Sequence, residues 1–239
     1  TPGKEHPVPV NVLLAILGYP VALGLILVAL PVQALLLVLT APFDRNRTVP
    51  GRFLRIIGVL ISRTLPPWRL GVEGRWPEGG PFVVVANHQS VLDILLLSRL
   101  PREMKWVAKE ELFKIPWVGW MLRMSGDIRI RRGDAESGGE ALARAREYLS
   151  RGMSVMIFPE GTRSRTGQLL PFKSGAFRLA LETGAPVLPV AVHGTARGMP
   201  TVVATREYIA ANFRNGADIQ ETIRMFIRDA YAKWGLQYV

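Results

Sequence analysis

Of the three histidines in this 239-residue chain, His88 is the one whose neighbours could do chemistry. It lies in Asn87-His88-Gln89-Ser90-Val91-Leu92-Asp93, directly after an apolar run at 82–86. That order predicts a buried strand, a strand-end loop and then the start of a helix. A helix start turns the chain back, which brings the Asp93 carboxylate within reach of the imidazole. A carboxylate on one ring nitrogen fixes the tautomer and leaves the other nitrogen as a base. The same residues also have a purely structural reading. Ser90 suits an N-cap, and with Asp93 three residues on it makes a capping box that needs no catalysis. Covalent routes are poorly served. The chain has no cysteine, hence no thiolate nucleophile, disulfide or cysteine metal site. It contains no Gly-x-Ser-x-Gly elbow, and capping already accounts for Ser90.

Two further clusters carry charge. Gly126-Asp127-Ile128-Arg129-Ile130-Arg131-Arg132-Gly133 alternates, placing Ile128 and Ile130 on one face of a short strand and Arg129 and Arg131 on the other. Arg132 then opens a turn, where a guanidinium suits bidentate phosphate binding. The same arginines would equally shield an edge strand from aggregation. Phe158-Pro159-Glu160-Gly161-Thr162-Arg163 closes an apolar run at 153–158, so Glu160 and Arg163 are presented beyond a strand end, across a turn that Gly161 permits. Pro171-Phe172-Lys173-Ser174-Gly175-Ala176 opens a helix whose free N–H groups, with Lys173, could hold an anion.

The elements that must position these residues follow from periodicity. Buried strands are expected at 82–86, 153–158 and 187–192, and helices at 90–100, 140–150 and 174–182. Strands alternating with helices predict an α/β fold: a largely parallel mixed sheet flanked by helices on both faces. Function in such sheets gathers at the carboxyl ends of strands. Asp218 and Glu221 form a capping-box pattern, and Ile219, Ile223, Phe226, Ile227, Tyr231 and Trp234 a helical stripe assigned to core packing.

Composition places the rest. Hydrophobic residues make up 49% of the chain, and the excess is concentrated at 7–43, which contain no Lys, Arg, Asp or Glu. As one helix this run would be about 55 Å long, more than a bilayer core needs. With Pro20 and Pro31 inside it, a kinked span or a two-helix hairpin entering one leaflet is expected. The run is too long for a signal peptide and no clear cleavage site follows it. Arg45, Arg47, Arg52, Arg55, Arg63 and Arg69 come next, interleaved with apolar residues, and read as a basic amphipathic helix lying on anionic headgroups. The positive flank puts the following domain on the cytoplasmic side. The expected division is a membrane-anchoring segment at 1–65 and an α/β domain at 66–239. The net charge of +11 calls for an anionic partner. Nucleic acid would satisfy the charge but not the apolar N-terminus. Thr1 in place of an initiator Met predicts that the native chain starts earlier.

With these blocks in view, the chain resembles the glycerolipid acyltransferases, and within them the bacterial 1-acyl-sn-glycerol-3-phosphate acyltransferases. Asn87-His88-x4-Asp93 resembles the family's NH(x)4D signature. Gly126 to Arg132 resembles its second block, Phe158-Pro159-Glu160-Gly161-Thr162-Arg163 its third, and Val187-Leu188-Pro189-Val190 its fourth. The four ordered blocks together are specific in a way that one alone is not. The resemblance implies His88 as base and Asp93 as its partner. It implies that Glu160, Gly161, Thr162 and Arg163 bind the acceptor's glycerol phosphate, with Asn87 also at the substrate site. Arg132 takes the phosphate, Lys109 adds charge, and Pro189 shapes the pocket. Two departures stand out. Arg131 occupies a position often held by Asp or Asn in the family, and only 201–204 could supply the strand usual before the final helix.

The implied reaction moves a fatty acyl group from acyl-CoA or acyl-carrier protein to the sn-2 hydroxyl of lysophosphatidic acid, giving phosphatidic acid, with no metal or other cofactor. Backbone N–H groups near Gly161 are the expected oxyanion donors. The expected location is the inner, cytoplasmic membrane. Three rivals stay open: the same chemistry on another acceptor (glycerol-3-phosphate, a lysophospholipid or a lyso-aminolipid), a membrane-bound lipid hydrolase, and a non-catalytic membrane-surface binding protein.

Overall fold

The computed structural model describes residues 10–64, 70–73, 76–164, 168–193 and 201–205. The capping pattern and helical stripe expected at 218–234 lie outside these residues. Seven strands form one sheet: β1 (Leu70–Glu73), β2 (Val83–Ala86), β3 (Met104–Lys109), β4 (Ile128–Ile130), β5 (Ser154–Ile157), β6 (Val187–His193) and β7 (Thr201–Thr205). Their order is β1-β7-β6-β2-β5-β3-β4. All pairings are parallel except β6 with β7. The sheet is therefore largely parallel and mixed, as expected. The strand anticipated at 201–204 is β7.

The helices are α1 (Val10–Thr40), α2 (Thr48–Thr64), α3 (Leu92–Leu97), α4 (Glu110–Lys114), α5 (Val118–Ser125), α6 (Ala135–Ser150) and α7 (Gly175–Thr183). On one face, α6 and α7 pack Ala145, Tyr148, Phe177 and Leu179 against Val83, Val85 and Val155. On the other, α3 packs Leu96 and Leu97 against Val84, Trp106 and Val190. Side chains of successive residues in β2 thus feed opposite cores, which is why the run is apolar without alternation. The helix expected at 90–100 is shorter: α3 has six residues, and its last turn tightens into i→i−3 bonds at Arg99 and Leu100.

Four elements escaped the periodicity: β1, β3, α4 and α5. β3 reads Met-Lys-Trp-Val-Ala-Lys, with a fully buried Lys105, and α4 is a single turn. The connections explain where function gathers. From β2 the chain crosses by α3 to β3 on one side. From β5 it crosses by α7 to β6 on the other. β2 and β5 are neighbours, so a crevice opens at their carboxyl ends where the connections diverge.

The N-terminal run is one continuous helix, not a hairpin, with Pro20 and Pro31 inside it. Each proline removes one hydrogen bond. Reversing the chain within lipid would leave several backbone groups unpaired, a larger cost. The stretch Gly18–Thr40 has the length and mean hydropathy, 2.7, of a membrane helix, and little of it is buried. Its buried positions are Gly18, Ala22, Ala29, Gln33 and Thr40, mostly small residues at helical spacing. Leu23, Leu27, Leu35 and Val38 are exposed, Val38 by 70%. Small residues toward the protein and large apolar ones outward is the pattern of a lipid-facing helix. α1 rests on α2 and α5 through Ala29, Ile57 and Met121, and Gln33 Nε2 donates to the carbonyls of Pro50 (3.0 Å) and Met121 (3.1 Å).

The arginine run is corrected at three places. Arg55 is buried in α2, and its Nη2 donates to both carboxylate oxygens of Asp127 at 2.6 and 2.7 Å. Arg52 donates to the Leu100 carbonyl and Arg47 to that of Arg123. Arg55 ties α2 to the start of β4, Arg52 ties it to the end of the α3 crossover, and Arg47, just before α2, reaches α5, so these guanidinium groups face protein rather than headgroups. Arg45 and Arg63 remain exposed.

Candidate active site

His88 follows β2 and Glu160 follows β5, so the crevice between those strand ends collects both motifs. The His88 Nδ1 and Asp93 Oδ2 atoms are 2.7 Å apart, with the Asp93 side chain fully buried and that of His88 8% exposed. Asp93 Oδ2 also accepts from the N–H groups of Gln89 (2.7 Å) and Ser90 (3.0 Å). Ser90 Oγ accepts from the N–H of Leu92 at 3.3 Å. The catalytic and structural readings of Asp93 are therefore not alternatives. One oxygen turns the chain into α3 and holds the imidazole. With Nδ1 as the donor, Nε2 is left as the basic nitrogen. The other face of the ring stacks on Phe158, centroids 4.1 Å apart and planes at 20°. No sequence signal assigned that task to Phe158, since it depends on β2 and β5 being adjacent.

Glu160 is buried, and both its oxygens are occupied by backbone. Oε1 accepts from the N–H of His88 (2.7 Å) and Oε2 from that of Leu170 (2.9 Å). The His88 carbonyl in turn accepts from the N–H of Ser164 at 2.8 Å. Asn87 is also buried: its Oδ1 accepts from the N–H of Val192 (2.7 Å) and its Nδ2 donates to the Val192 carbonyl (2.8 Å). The resemblance implies substrate contacts for these two residues. In the structure both side chains brace the site: Glu160 ties together the loops at His88 and Leu170, and Asn87 ties the end of β2 to β6. The Gly161 N–H is likewise taken, by the Phe158 carbonyl at 3.0 Å, so it is not a free oxyanion donor.

Burial raises the Glu160 carboxyl from 4.5 to about 7, and the Asp93 carboxylate works in the same direction, against the two N–H donors. The native state thus holds that proton more tightly than the unfolded chain does. Stability contributed by this group falls as pH rises from about 4.5 to 7 and is level above that. The full span corresponds to about 3 kcal/mol at most. Glu160→Gln is expected to flatten this slope, measured as unfolding midpoints between pH 5 and 8. An identical slope in the variant would remove Glu160 as its source.

Cationic groups gather beside the dyad. Lys109, Arg132, Gly161 and Lys173 line a cleft of about 560 Å3, whose floor includes Val107, Ile130, Leu142 and Ile157. Phe158 lines it too, so the cleft borders the ring that supports His88. Arg132 and Arg163 are close enough to repel: burial and Arg163 together hold the Arg132 guanidinium below its ordinary value. Thr162 and Arg163 are exposed. Gly161 has φ of +69°, and a Cβ there would meet the Lys173 side chain at 2.8 Å, so the turn needs glycine. Ser174, Gly175 and Ala176, the start of α7, also line the cleft. Lys109 is partly engaged by Glu111 at 3.1 Å. Arg131 also lines the cleft, with its guanidinium paired to Glu110 (2.9 Å) and Asp134 (2.7 Å). β4 is the sheet edge, so its outward Arg129 also fits the protective reading. Pro189 is buried in β6, in register with Val85.

Known proteins share this arrangement. The family model described as Acyltransferase matches residues 69–193. A chloroplastic 1-acyl-sn-glycerol-3-phosphate acyltransferase of Brassica napus is 41% identical over 162 residues, covering 66% of this chain and 47% of the relative. The human 1-acyl-sn-glycerol-3-phosphate acyltransferase beta is 40% identical over 151 residues, covering 61% of this chain and 54% of the relative. The chain thus spans about half the length of these curated relatives. Among solved structures, the 1-acyl-sn-glycerophosphate (LPA) acyltransferase PlsC from Thermotoga maritima matches with a TM-score of 0.74 and 27% identity, covering 96% of this chain and 98% of that one.

Proposed function

Since this chain belongs to the Acyltransferase family, we propose that it transfers a fatty acyl group from a thioester donor to the free sn-2 hydroxyl of 1-acyl-glycerol-3-phosphate, giving phosphatidic acid. The carrying observation is the His88–Asp93 pair, 2.7 Å apart, beside a cleft that offers cations above an apolar floor. The relatives' names support the same acceptor.

His88 Nε2 takes the proton of the acceptor hydroxyl as its oxygen bonds to the thioester carbon. The tetrahedral intermediate then collapses, the C–S bond breaks, and the departing thiolate takes the proton from the imidazolium. Asp93 keeps the ring in the right tautomer and stabilises its charged form. Arg132, Arg163 and Lys173 hold the acceptor phosphate, which sets the hydroxyl in place for attack. The transfer draws on no metal or cofactor besides the donor, acyl-CoA or acyl-carrier protein. α1 anchors the chain in the inner membrane, with the catalytic domain on the cytoplasmic face.

The test is an assay of purified protein in detergent, crossing both donors with lysophosphatidate and phosphate-free monoacylglycerol. Lysophosphatidate is expected to be strongly preferred. Arg163→Ala and Arg132→Ala should each raise its KM roughly tenfold to a hundredfold, the loss of one charge-assisted contact, with a smaller change in kcat. Equal use of the phosphate-free acceptor would defeat the assignment of the acceptor. Free fatty acid released in the absence of acceptor would indicate a hydrolase.

A further inference from the structure

A second exposed apolar feature lies at the start of α5, which packs on α1. Ile115 and Trp117, between α4 and α5, and Trp120, in the first turn of α5, are 47%, 37% and 49% exposed, and the two indole rings lie 5.3 Å apart. Neither ring is drawn into the core, although Phe113 and Met121 beside them are buried.

The backbone holds this arrangement under strain. Trp117 has φ of +62° and ψ of −64°, and the N–H of Val118 donates to the Pro116 carbonyl at 2.7 Å. That is a γ-turn of the positive-φ kind, costly for any residue with a Cβ. The turn is locked from behind. The N–H of Gly119 donates to the Ile115 carbonyl at 2.8 Å, and a Cβ on Gly119 would lie 2.2 Å from the Phe113 carbonyl oxygen. A fold that keeps a tryptophan in a strained turn, pointing outward, has a use for the ring outside its own core.

Charge and position identify the occupant. Lys114 and Arg123 are exposed at the rim, while the nearby acids are already paired, Glu110 with Arg131 and Glu111 with Lys109. Tryptophan beside Lys and Arg is the composition of a membrane–water interface. The patch also continues the lipid-facing surface. α5 packs on α1, and Gln33 of α1 donates to the carbonyl of Met121, the residue after Trp120. We propose that Ile115, Trp117 and Trp120 form a second membrane contact, inserting at the headgroup–acyl boundary of an anionic bilayer. The patch follows α4, a single turn that leads on from β3, whose last residue, Lys109, lines the cleft. Insertion there turns the cleft toward the surface in which a lipid acceptor resides. The contact is independent of the acyl-transfer chemistry.

The absence of cysteine makes a clean test available. Trp117→Cys and Trp120→Cys, each in the full chain and nitroxide-labelled, are reconstituted in vesicles of phosphatidylglycerol and phosphatidylcholine. Glu140→Cys, on the exposed side of α6, is the water-facing control. At 117 and 120 the label is expected to be severalfold more accessible to oxygen than to a water-soluble nickel chelate, with the reverse at 140. Labels at 117 and 120 as open to the chelate as at 140 overturn the proposal. Labels shielded from both reagents overturn it too, because they indicate cover by a second copy of the chain. Neither readout requires turnover, so failure here is separable from failure of the functional reading.

Discussion

His88→Ala is expected to lower kcat for transfer to lysophosphatidate by about 10²- to 10⁴-fold, the contribution of a positioned general base. The residue is held at three points, two on the ring and one on the backbone: Nδ1 is 2.7 Å from Asp93, one face lies on Phe158, and the backbone N–H is held by Glu160. Asp93→Asn should cost a comparable factor, because an amide can present its N–H₂ to the ring and leave the wrong nitrogen basic. KM for the acceptor should move little in either variant, since the phosphate contacts are untouched. Near-normal turnover in a purified, folded His88→Ala protein would end the proposal. Far-ultraviolet circular dichroism and an unchanged unfolding midpoint would separate chemistry from misfolding.

Asp127→Ala is expected to produce the largest loss of stability, about 3–5 kcal/mol. Asp127 precedes the edge strand β4, and its carboxylate serves four bonds. Besides the two from Arg55, it accepts from the Trp106 N–H (3.0 Å) and the Ser125 hydroxyl (3.0 Å). Burial works against the Arg55 charge, and Asp127 followed by Glu103 more than offsets it. Without Asp127 the guanidinium keeps only Glu103, 3.9 Å from its Nε, and its stacking over Trp106 at 4.7 Å. A buried, uncompensated cation would remain where α2 meets the sheet. For a chain of this length the unfolding midpoint should fall by roughly 10 °C in a detergent thermal melt. An Arg55→Met/Asp127→Leu double variant should recover much of that loss, because an apolar pair carries no desolvation cost. An unshifted midpoint for Asp127→Ala would show that the pair is solvated.

The contrast between these two sites shows how far residue order reaches. The dyad was legible because it is local: Asp93 is five residues from His88, and a helix start brings them together. The roles of Glu160 and Arg55 were not legible, because each depends on a partner 72 residues away. A charge in the midst of apolar residues looks the same on a membrane-facing helix and on one packed inward. Arg55 therefore read as part of a surface stripe until its partner was seen. The bracing role of Glu160 stayed hidden for the same reason. Its motif announces a polar group at a strand end, but not whether that group faces the crevice or the loop behind it.

Trp117 marks another limit. Tryptophan three residues before tryptophan, with Pro and Lys beside them, reads as ordinary packing at helical spacing. Only the positive φ and the exposed rings show otherwise. For α1, composition indicated lipid, but Pro20 and Pro31 could not separate a hairpin from a continuous helix. The decision came from what lies alongside, where Ala29 and Gln33 meet α2 and α5.

By itself the sequence determined what propensity, periodicity and short-range geometry control: the alternation that yields a mostly parallel sheet, the strand-end loops, the His88–Asp93 pair, and an apolar N-terminus too long to hide in a core. Tertiary structure decided everything that rests on strand order. Placing β2 beside β5 made Phe158 a platform and Glu160 a clamp, and the order β5-β3-β4 brought Arg132 and Arg163 to one rim. Burial and dielectric environment are properties of neighbours, and neighbours distant along the chain are chosen only when the whole sheet closes.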